Sequence, residues 1–346
     1  MSGMVVLGWD IGGANIKAAR IRDGGGNDLD VVEQPFALWR EPQRLPAVLR
    51  DVANRLEYPS TMAVTMTAEL ADCFASKSEG VRFVLDAVKT AFPDAEAWVF
   101  GIDGRFRHLE AARDQPGSVA AANWLAGAML IARSFPDAIF IDAGSTTTDI
   151  IAIAGGRVAA RGRTDTERLR TGELVYTGAL RTPIAAIVRS VRFGGRTCRV
   201  AAEQFAIAAD AHLWLRHIDE REYTCETPDG RGRSSSDAAA RLARVVCADL
   251  EVLSDDDVTA IARAVERRQI QQIAAAVRQV LRKLVSPRPN AAVIAGSGGF
   301  LARAAAQQAG LAVHDLAAAL GPAAGRAAPA AAVARLLVER TDWLRA

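Results

Sequence analysis

Met4-Val5-Val6-Leu7-Gly8-Trp9-Asp10-Ile11-Gly12-Gly13-Ala14-Asn15-Ile16-Lys17 is the stretch on which the fold turns. Met4 to Trp9 is an apolar run that reads as a buried strand, Asp10-Ile11-Gly12-Gly13 as a tight turn, and Ile16 to Ile21 as a returning strand. The same arrangement recurs further along. Ala138 to Ile141 is an apolar strand, Asp142-Ala143-Gly144-Ser145 a turn, and Ile150 to Ile153 the return. Laying Asp10 on Asp142 puts Gly12 on Gly144 and Lys17 on Asp149. One Asp-x-Gly turn is common, but two, each between an apolar strand and a β-rich return, point to a duplicated fold with a cleft between the copies.

Outward from the first hairpin, Gly24-Gly25-Gly26-Asn27 reads as a turn and Leu29 to Leu38 as a third strand. Leu45, Val48, Leu49, Val52 and Leu56 recur at helical spacing. A strand at Met62 to Met66 leads through Thr67-Ala68-Glu69-Leu70 into a helical stretch ending near Val88, and Trp98 to Ile102 is another strand. Ser118 to Ser134 reads as a helix. Beyond the second hairpin, Gly155-Gly156 is a turn before Val158-Ala159-Ala160. Residues 161 to 258 are more polar and irregular, with a loop at Pro228 to Gly232 and Ser234 to Ser236. Ile261 to Leu284 keeps a long helical stripe, closed by Pro287 and Pro289. Ala291 to Ala295 is the last strand, running into Gly296-Ser297-Gly298-Gly299 and a helix from Phe300; Pro329 to Leu344 is an amphipathic closing helix. The expected organisation is an N-terminal lobe over residues 1–136 and a C-terminal lobe over 137–328 with an insertion around 161–258. The closing helix, 329–346, is free to pack back on the first lobe.

With 346 residues, 50% of them hydrophobic, 24% charged and a net charge of +2, the chain has an ordinary globular balance. That charge gives no field that would call for nucleic acid or an acidic membrane. Cys73, Cys198, Cys225 and Cys247 form no CxxC pair and have no histidine at ligand spacing, so reduced thiols are expected rather than zinc or disulfides. There is no basic n-region before the first apolar run and no membrane-length apolar stretch, so the expected location is the cytoplasm. Oligomeric state is left open, a homo-oligomer being allowed.

Three segments carry chemistry. Gly12 and Gly13 let backbone amides approach an anion without a Cβ in the way, and Asn15 is a further candidate for the same phosphate. Asp10 suits Mg2+ and Lys17 a phosphate, although a plain hairpin with a solvated lysine uses the same residues. In the second hairpin Ser145, Thr146, Thr147 and Thr148 follow Gly144 and are bracketed by Asp142 and Asp149, which a plain turn does not explain. Gly296-Ser297-Gly298-Gly299 places amides at a helix N-terminus, where an anion or a nucleotide sugar docks. No GxGxxG fingerprint and no GxxxxGK[ST] loop occurs. His108, His212, His217 and His314 fall in no ligand spacing and read as structural.

In this order, the three segments resemble the phosphate-1, phosphate-2 and adenosine motifs of the actin, heat-shock-chaperone and sugar-kinase superfamily. Within it the chain is similar to the hydantoinase A/oxoprolinase-related group, and there to the methanofuran-biosynthesis synthases of one-carbon metabolism. Besides both hairpins, the likeness rests on Thr65-Met66-Thr67-Ala68-Glu69-Leu70-Ala71-Asp72, Arg168-Leu169, Gly172-Glu173-Leu174-Val175-Tyr176-Thr177-Gly178 and Arg181-Thr182-Pro183. The resemblance implies an α/β protein with two ribonuclease H-like lobes of the actin-like ATPase architecture and a central cleft. It implies a transferase joining an aminomethyl-furan-methyl diphosphate to the phenol oxygen of a glutamyl-tyramine or tyrosine-like acceptor, with release of pyrophosphate.

On that reading Asp10, Asp142 and Asp149 hold Mg2+, while Lys17 and the Ser145–Thr148 hydroxyls meet the diphosphate. Glu69, Asp72 and Glu173 are candidate bases for the phenol, though each also suits a cap or an ion pair. Arg168 and Arg181 match a carboxylate of the acceptor, a solvated role being equally open. Two other readings use the same hairpins: an ATP-dependent hydantoinase/oxoprolinase-like hydrolase or small-molecule kinase, and a non-catalytic actin-like nucleotide-binding protein.

Overall fold

The computed structural model describes residues 5–22, 29–284, 288–316 and 328–345, with side chains described as far as 340. The turn read at Gly24 to Asn27 and the stop at Pro287 lie outside them. The chain divides into two compact units: Met1–Pro136 with Ile153–Asp165 and Asp315–Ala346, and Asp137–Ala152 with Thr166–His314.

The first unit is built on strands β1 (Val5–Ile11), β2 (Asn15–Arg22), β3 (Leu29–Pro35), β4 (Thr61–Met66), β5 (Glu96–Phe100) and β6 (Phe106–His108), in the order β3-β2-β1-β4-β5-β6. β1 pairs antiparallel with β2 and parallel with β4. Apolar side chains on both faces put β1 and β4 at the centre, where they are buried almost throughout, whereas β3 stays largely half-exposed. Helices α1 (Leu45–Asn54), α2 (Lys77–Ala91) and α3 (Leu109–Asp114) pack into the core of this sheet, and α4 (Asn123–Ser134) follows them in the chain. The core joins Trp9, Leu49, Val64, Val84 and Phe92. The helix read from Ser118 starts only at Asn123: Pro116–Ser118 is a single 3-10 turn and Ala121 has φ +49°, which an α-helix cannot absorb. Likewise the helix after β4 waits until Lys77, where Ser76 Oγ accepts from the Glu79 amide.

The second unit contains β7 (Ala138–Ala143), most of β8 (Thr148–Ala154), most of α5 (Asp165–Thr171), β10 (Leu174–Val175), α6 (Ile184–Ile187), β11 (Ser190–Phe193) and β12 (Arg196–Arg199), while the end of β8 turns over Gly155-Gly156 to β9 (Arg157–Val158), which is counted in the first. Then come α7 (Ala208–Trp214), α8 (Ser235–Arg244), α9 (Asp255–Arg282), β13 (Ala291–Ala295), α10 (Gly299–Gln308) and β14 (Ala312–Asp315). Its sheet runs β10-β8-β7-β13-β14. The region read as irregular is folded around a buried polar centre: Arg241 Nε donates to Asp210 Oδ1 at 2.8 Å, and Tyr223 Oη donates to the same oxygen at 2.9 Å. Ser234 is not in a loop but caps α8, accepting from the Asp237 amide in a capping box.

The last helix, α11 (Ala328–Arg345), returns to the first unit and packs on β1, β2, β4 and α4. It sits so close that a Cβ on Gly8 would lie 2.0 Å from the Ala330 carbonyl oxygen. Among the described residues no helix is long and apolar enough to cross a membrane.

Candidate active site

The two hairpins share one backbone device. In the first unit the Gly12 amide donates to the Asn15 carbonyl at 3.0 Å; in the second the Gly144 amide donates to the Thr147 carbonyl at 2.8 Å. In each, two successive carbonyls are taken up from outside. Leu38 and Phe36 amides donate to Gly13 and Ala14, while Ala179, Leu180 and Arg181 amides donate to Gly144 and Ser145. Tying down the carbonyls leaves successive amides turned the other way. Among the described residues, no protein group accepts from the amides of Gly13 and Ala14 or of Ser145 and Thr146. Such consecutive N–H groups form an anion-binding concavity.

Around the first hairpin, β-sheet register collects the side chains. Asp10 lies opposite Lys17 on β2 and beside Thr65 on β4. Asp10 is nearly buried; Lys17 is partly exposed, its Nζ 3.9 Å from Glu33 Oε1. Four residues beyond Thr65, Glu69 is 1% exposed, and its Oε2 meets no hydrogen-bond donor among the described residues. Burial pushes its carboxyl up to about 7, with the charges of Asp165 and Asp10 adding to the rise; its own backbone hydrogen bond and the Lys77 charge oppose it. Lys77 is itself committed to Asp165, Nζ to Oδ2 2.7 Å. Helix α2 fixes the position, since a Cβ on Gly80 would come within 2.4 Å of the Glu69 carbonyl oxygen. Asp72, the neighbouring candidate base, is exposed.

In the second unit the segment 177–181 lies directly on the hairpin. A Cβ on Gly178 would fall 2.6 Å from the Gly144 oxygen and the Thr146 nitrogen. The Arg181 amide donates to Ser145 at 2.9 Å, so Arg181 is seated against the turn. The third element reaches the same hairpin: Gly298 N donates to the Ala143 carbonyl at 2.7 Å, and Gly296, at φ +87°, leaves 2.4 Å between Asp142 Oδ1 and where a Cβ would stand. Thus Asp142, Gly144, Ser145, Thr146, Thr147, Gly296 and Gly298 are brought together, with exposed Ser297 and the α10 N-terminus at Gly299 alongside.

Four expectations change. Thr148 is fully buried and its hydroxyl donates to the Thr177 carbonyl at 2.8 Å, so it holds the 177–181 segment rather than a phosphate. Asp149 accepts from Arg168 Nη2 at 2.7 Å, and buried Arg168 donates also to the Glu173 carbonyl at 3.1 Å. With Nη2 shared between these two acceptors, Arg168 has structural partners where an acceptor carboxylate was expected, and one Asp149 oxygen is engaged by a guanidinium. Glu173 is buried with Oε2 receiving the Thr171 hydroxyl at 2.7 Å, which suits a structural acceptor better than a base. The reason is common: β10 pairs with β8 at Leu174–Asp149, which draws this segment into the sheet edge. Among the described residues no group of three His, Cys, Asp or Glu side chains gathers to hold a metal.

Duplicated Asp-Gly hairpins, each on its own mixed sheet, define a protein of the actin-like ATPase fold class. The nucleotide-free structure of acetone carboxylase, described for ATP-dependent acetone carboxylation, shares the fold at a TM-score of 0.58 and 11% identity, covering 95% of this chain and 70% of that one. A family model for the hydantoinase/oxoprolinase proteins matches residues 60–340, and the chain belongs to that family. The chain is 35% identical over 340 residues, 98% of its length and 99% of the relative's, to a synthase from Methanocaldococcus jannaschii. That enzyme is named for its product, a furan-2-yl methanamine bearing a gamma-L-glutamylaminoethyl-phenoxymethyl group. A synthase of the same name from Methanococcus vannielii is 40% identical over 145 residues, 42% of this chain and 65% of that one.

Proposed function

We propose that this chain is a transferase that forms the aryl-methyl ether of methanofuran biosynthesis. It joins an aminomethyl-furan-methyl diphosphate to the phenol of a glutamyl-tyramine acceptor and releases pyrophosphate. The observation that carries the reading is the end-to-end likeness to the Methanocaldococcus jannaschii synthase, whose named product contains this phenoxymethyl-furan link. In the reaction the furan-methyl carbon loses its bond to the diphosphate oxygen, which departs with the electron pair. The phenol oxygen supplies the new pair, and its proton passes to a base.

Each hairpin is assigned, within its own unit, to binding anionic oxygens: the Gly13 and Ala14 amides with Lys17 in the first, and the Ser145 and Thr146 amides with Arg181 in the second, where the departing diphosphate is placed because donors aimed at developing charge act most strongly there. Glu69 is assigned to the phenol proton: it is buried, holds an unengaged oxygen and titrates near 7, which matches a base working at neutral pH. A full protein cage for a metal is not needed, because Mg2+ is held through one or two carboxylates plus substrate phosphates. Asp10 and Asp142 each bring one such carboxylate to a hairpin. When bound there, Mg2+ would neutralise charge on the departing diphosphate. A cytoplasmic location is part of the same proposal, since its substrates would be phosphorylated metabolites.

The test is to incubate the purified protein with Mg2+, the furan-methyl diphosphate and glutamyl-tyramine, and to follow ether and pyrophosphate together. Equal amounts of both are expected. Phosphate release from ATP without any ether would overturn the assignment in favour of an ATP-dependent hydrolase.

A further inference from the structure

Gln269 stands in the middle of α9, where the apolar stripe of Ile261, Val265, Ile273 and Val277 calls for an aliphatic residue. It is fully buried, and an unsatisfied amide there would be costly. Both of its polar atoms have partners. Nε2 donates to Thr177 Oγ1 at 2.8 Å and to the Gly178 carbonyl at 2.9 Å; Oε1 lies 2.9 Å from His212 Nε2. Because the Gly178 carbonyl can only accept, Nε2 must be the atom facing it and Oε1 the atom facing His212, so His212 carries its proton on Nε2. Burial keeps His212 neutral by pushing its pKa down to about 3, and its ring stands edge-on to Phe300 at 4.8 Å between centroids.

The clamp ends on the segment that shapes the second hairpin. Gly178 is held from behind by Gln269 and by Thr182, whose Oγ1 accepts from the Gly178 amide at 3.0 Å. From the front the hairpin backbone rests on its bare Cα, and the next three amides fasten the Gly144 and Ser145 carbonyls. We infer that Gln269 is a positioning residue for the diphosphate site: through Thr177 and Gly178 it sets the direction in which the Ser145 and Thr146 amides point. The inference rests on the reading above that this turn binds the diphosphate.

Binding of pyrophosphate with Mg2+ is measured calorimetrically for the full chain and for Gln269→Met, which keeps the volume and removes both donors. The expected result is pyrophosphate binding weakened about tenfold, the worth of a well-made hydrogen bond or two, with the KM of the phenolic acceptor unchanged. Thr177→Val should weaken binding in the same direction and Thr177→Ser should restore it, a pair that serves even where Gln269→Met folds poorly. Ser145→Pro, which deletes a turn amide, separates the two levels. If Ser145→Pro weakens binding while folded Gln269→Met and Thr177→Val bind as the parent does, the clamp is refuted and the diphosphate reading stands. If the parent binds no pyrophosphate, both fall.

Discussion

Glu69 is the residue whose chemistry is most exposed to test. A carboxyl that titrates near 7 is protonated below that pH and cannot accept a phenol proton, so ether formation should follow a rising limb centred near pH 7. Glu69→Gln keeps the shape and removes the base. The expected outcome is a loss of about 100-fold or more in kcat/KM, together with disappearance of that limb. A variant that keeps the limb would transfer the role elsewhere. From the sequence Glu69 could be named only as one of three acids, with Asp72 and Glu173, because what separates them is burial and packing. Asp72 points to solvent and Glu173 is engaged by Thr171, and neither fact has a local signature. Gln269 did leave a trace: a polar residue four positions from both Val265 and Ile273 breaks an apolar stripe, although its partners lie 57 to 92 residues earlier in the chain.

Elements were legible where their signal is local. Apolar runs bounded by glycine turns gave β1, β2, β4, β7 and β13 to within two residues, and the α9 stripe gave the longest helix. The Ser234-to-Asp237 and Ser254-to-Asp257 capping boxes are equally local, yet the first lay in a Gly-Arg-Ser-rich stretch that reads as loop. The small β11–β12 hairpin and α7 are held by long-range contacts, so their sequences carry little pattern of their own. Helix α11 shows what a local reading omits. Its amphipathic character is visible, but the surface it chooses is set by Gly8 in the middle of β1, where Ala330 and Ala334 come into contact. Gly8→Ala inserts a methyl against a backbone carbonyl that cannot rotate away. It should cost about 1–3 kcal/mol, the usual range for overpacking, and expose α11 to limited proteolysis. A variant with parental Tm and an intact C-terminus would show that the helix does not depend on this close approach.

At the scale of the molecule, the two hairpins have diverged around one backbone frame. Their turn hydrogen bonds coincide, while Lys17 pairs with Glu33 and the equivalent Asp149 pairs with Arg168. The units also carry buried ionisable groups of opposite sense, which makes them separable by pH. Glu69, raised from 4.5 to about 7, binds more protons folded than unfolded across that window. Its contribution to the first unit is therefore present below about pH 4.5 and lost as pH rises through 7. His212, lowered from 6.5 to about 3, is protonated only in the unfolded chain across its window, so its contribution to the second unit is present above pH 6.5 and lost as pH falls towards 3. Between roughly pH 4.5 and 6.5 the two effects oppose each other, so the parent should show a shallower pH dependence than either variant. Glu69→Gln removes the cost of a buried charge and should stabilise the first unit above pH 7, on the order of 1–3 kcal/mol. His212→Asn should flatten the acid loss in the second. Amide exchange read separately on β1 and β4 and on α7 and α9 resolves the pair. Parallel changes in both units, or none in the unit that carries the substitution, would remove these two side chains as the source of the pH response.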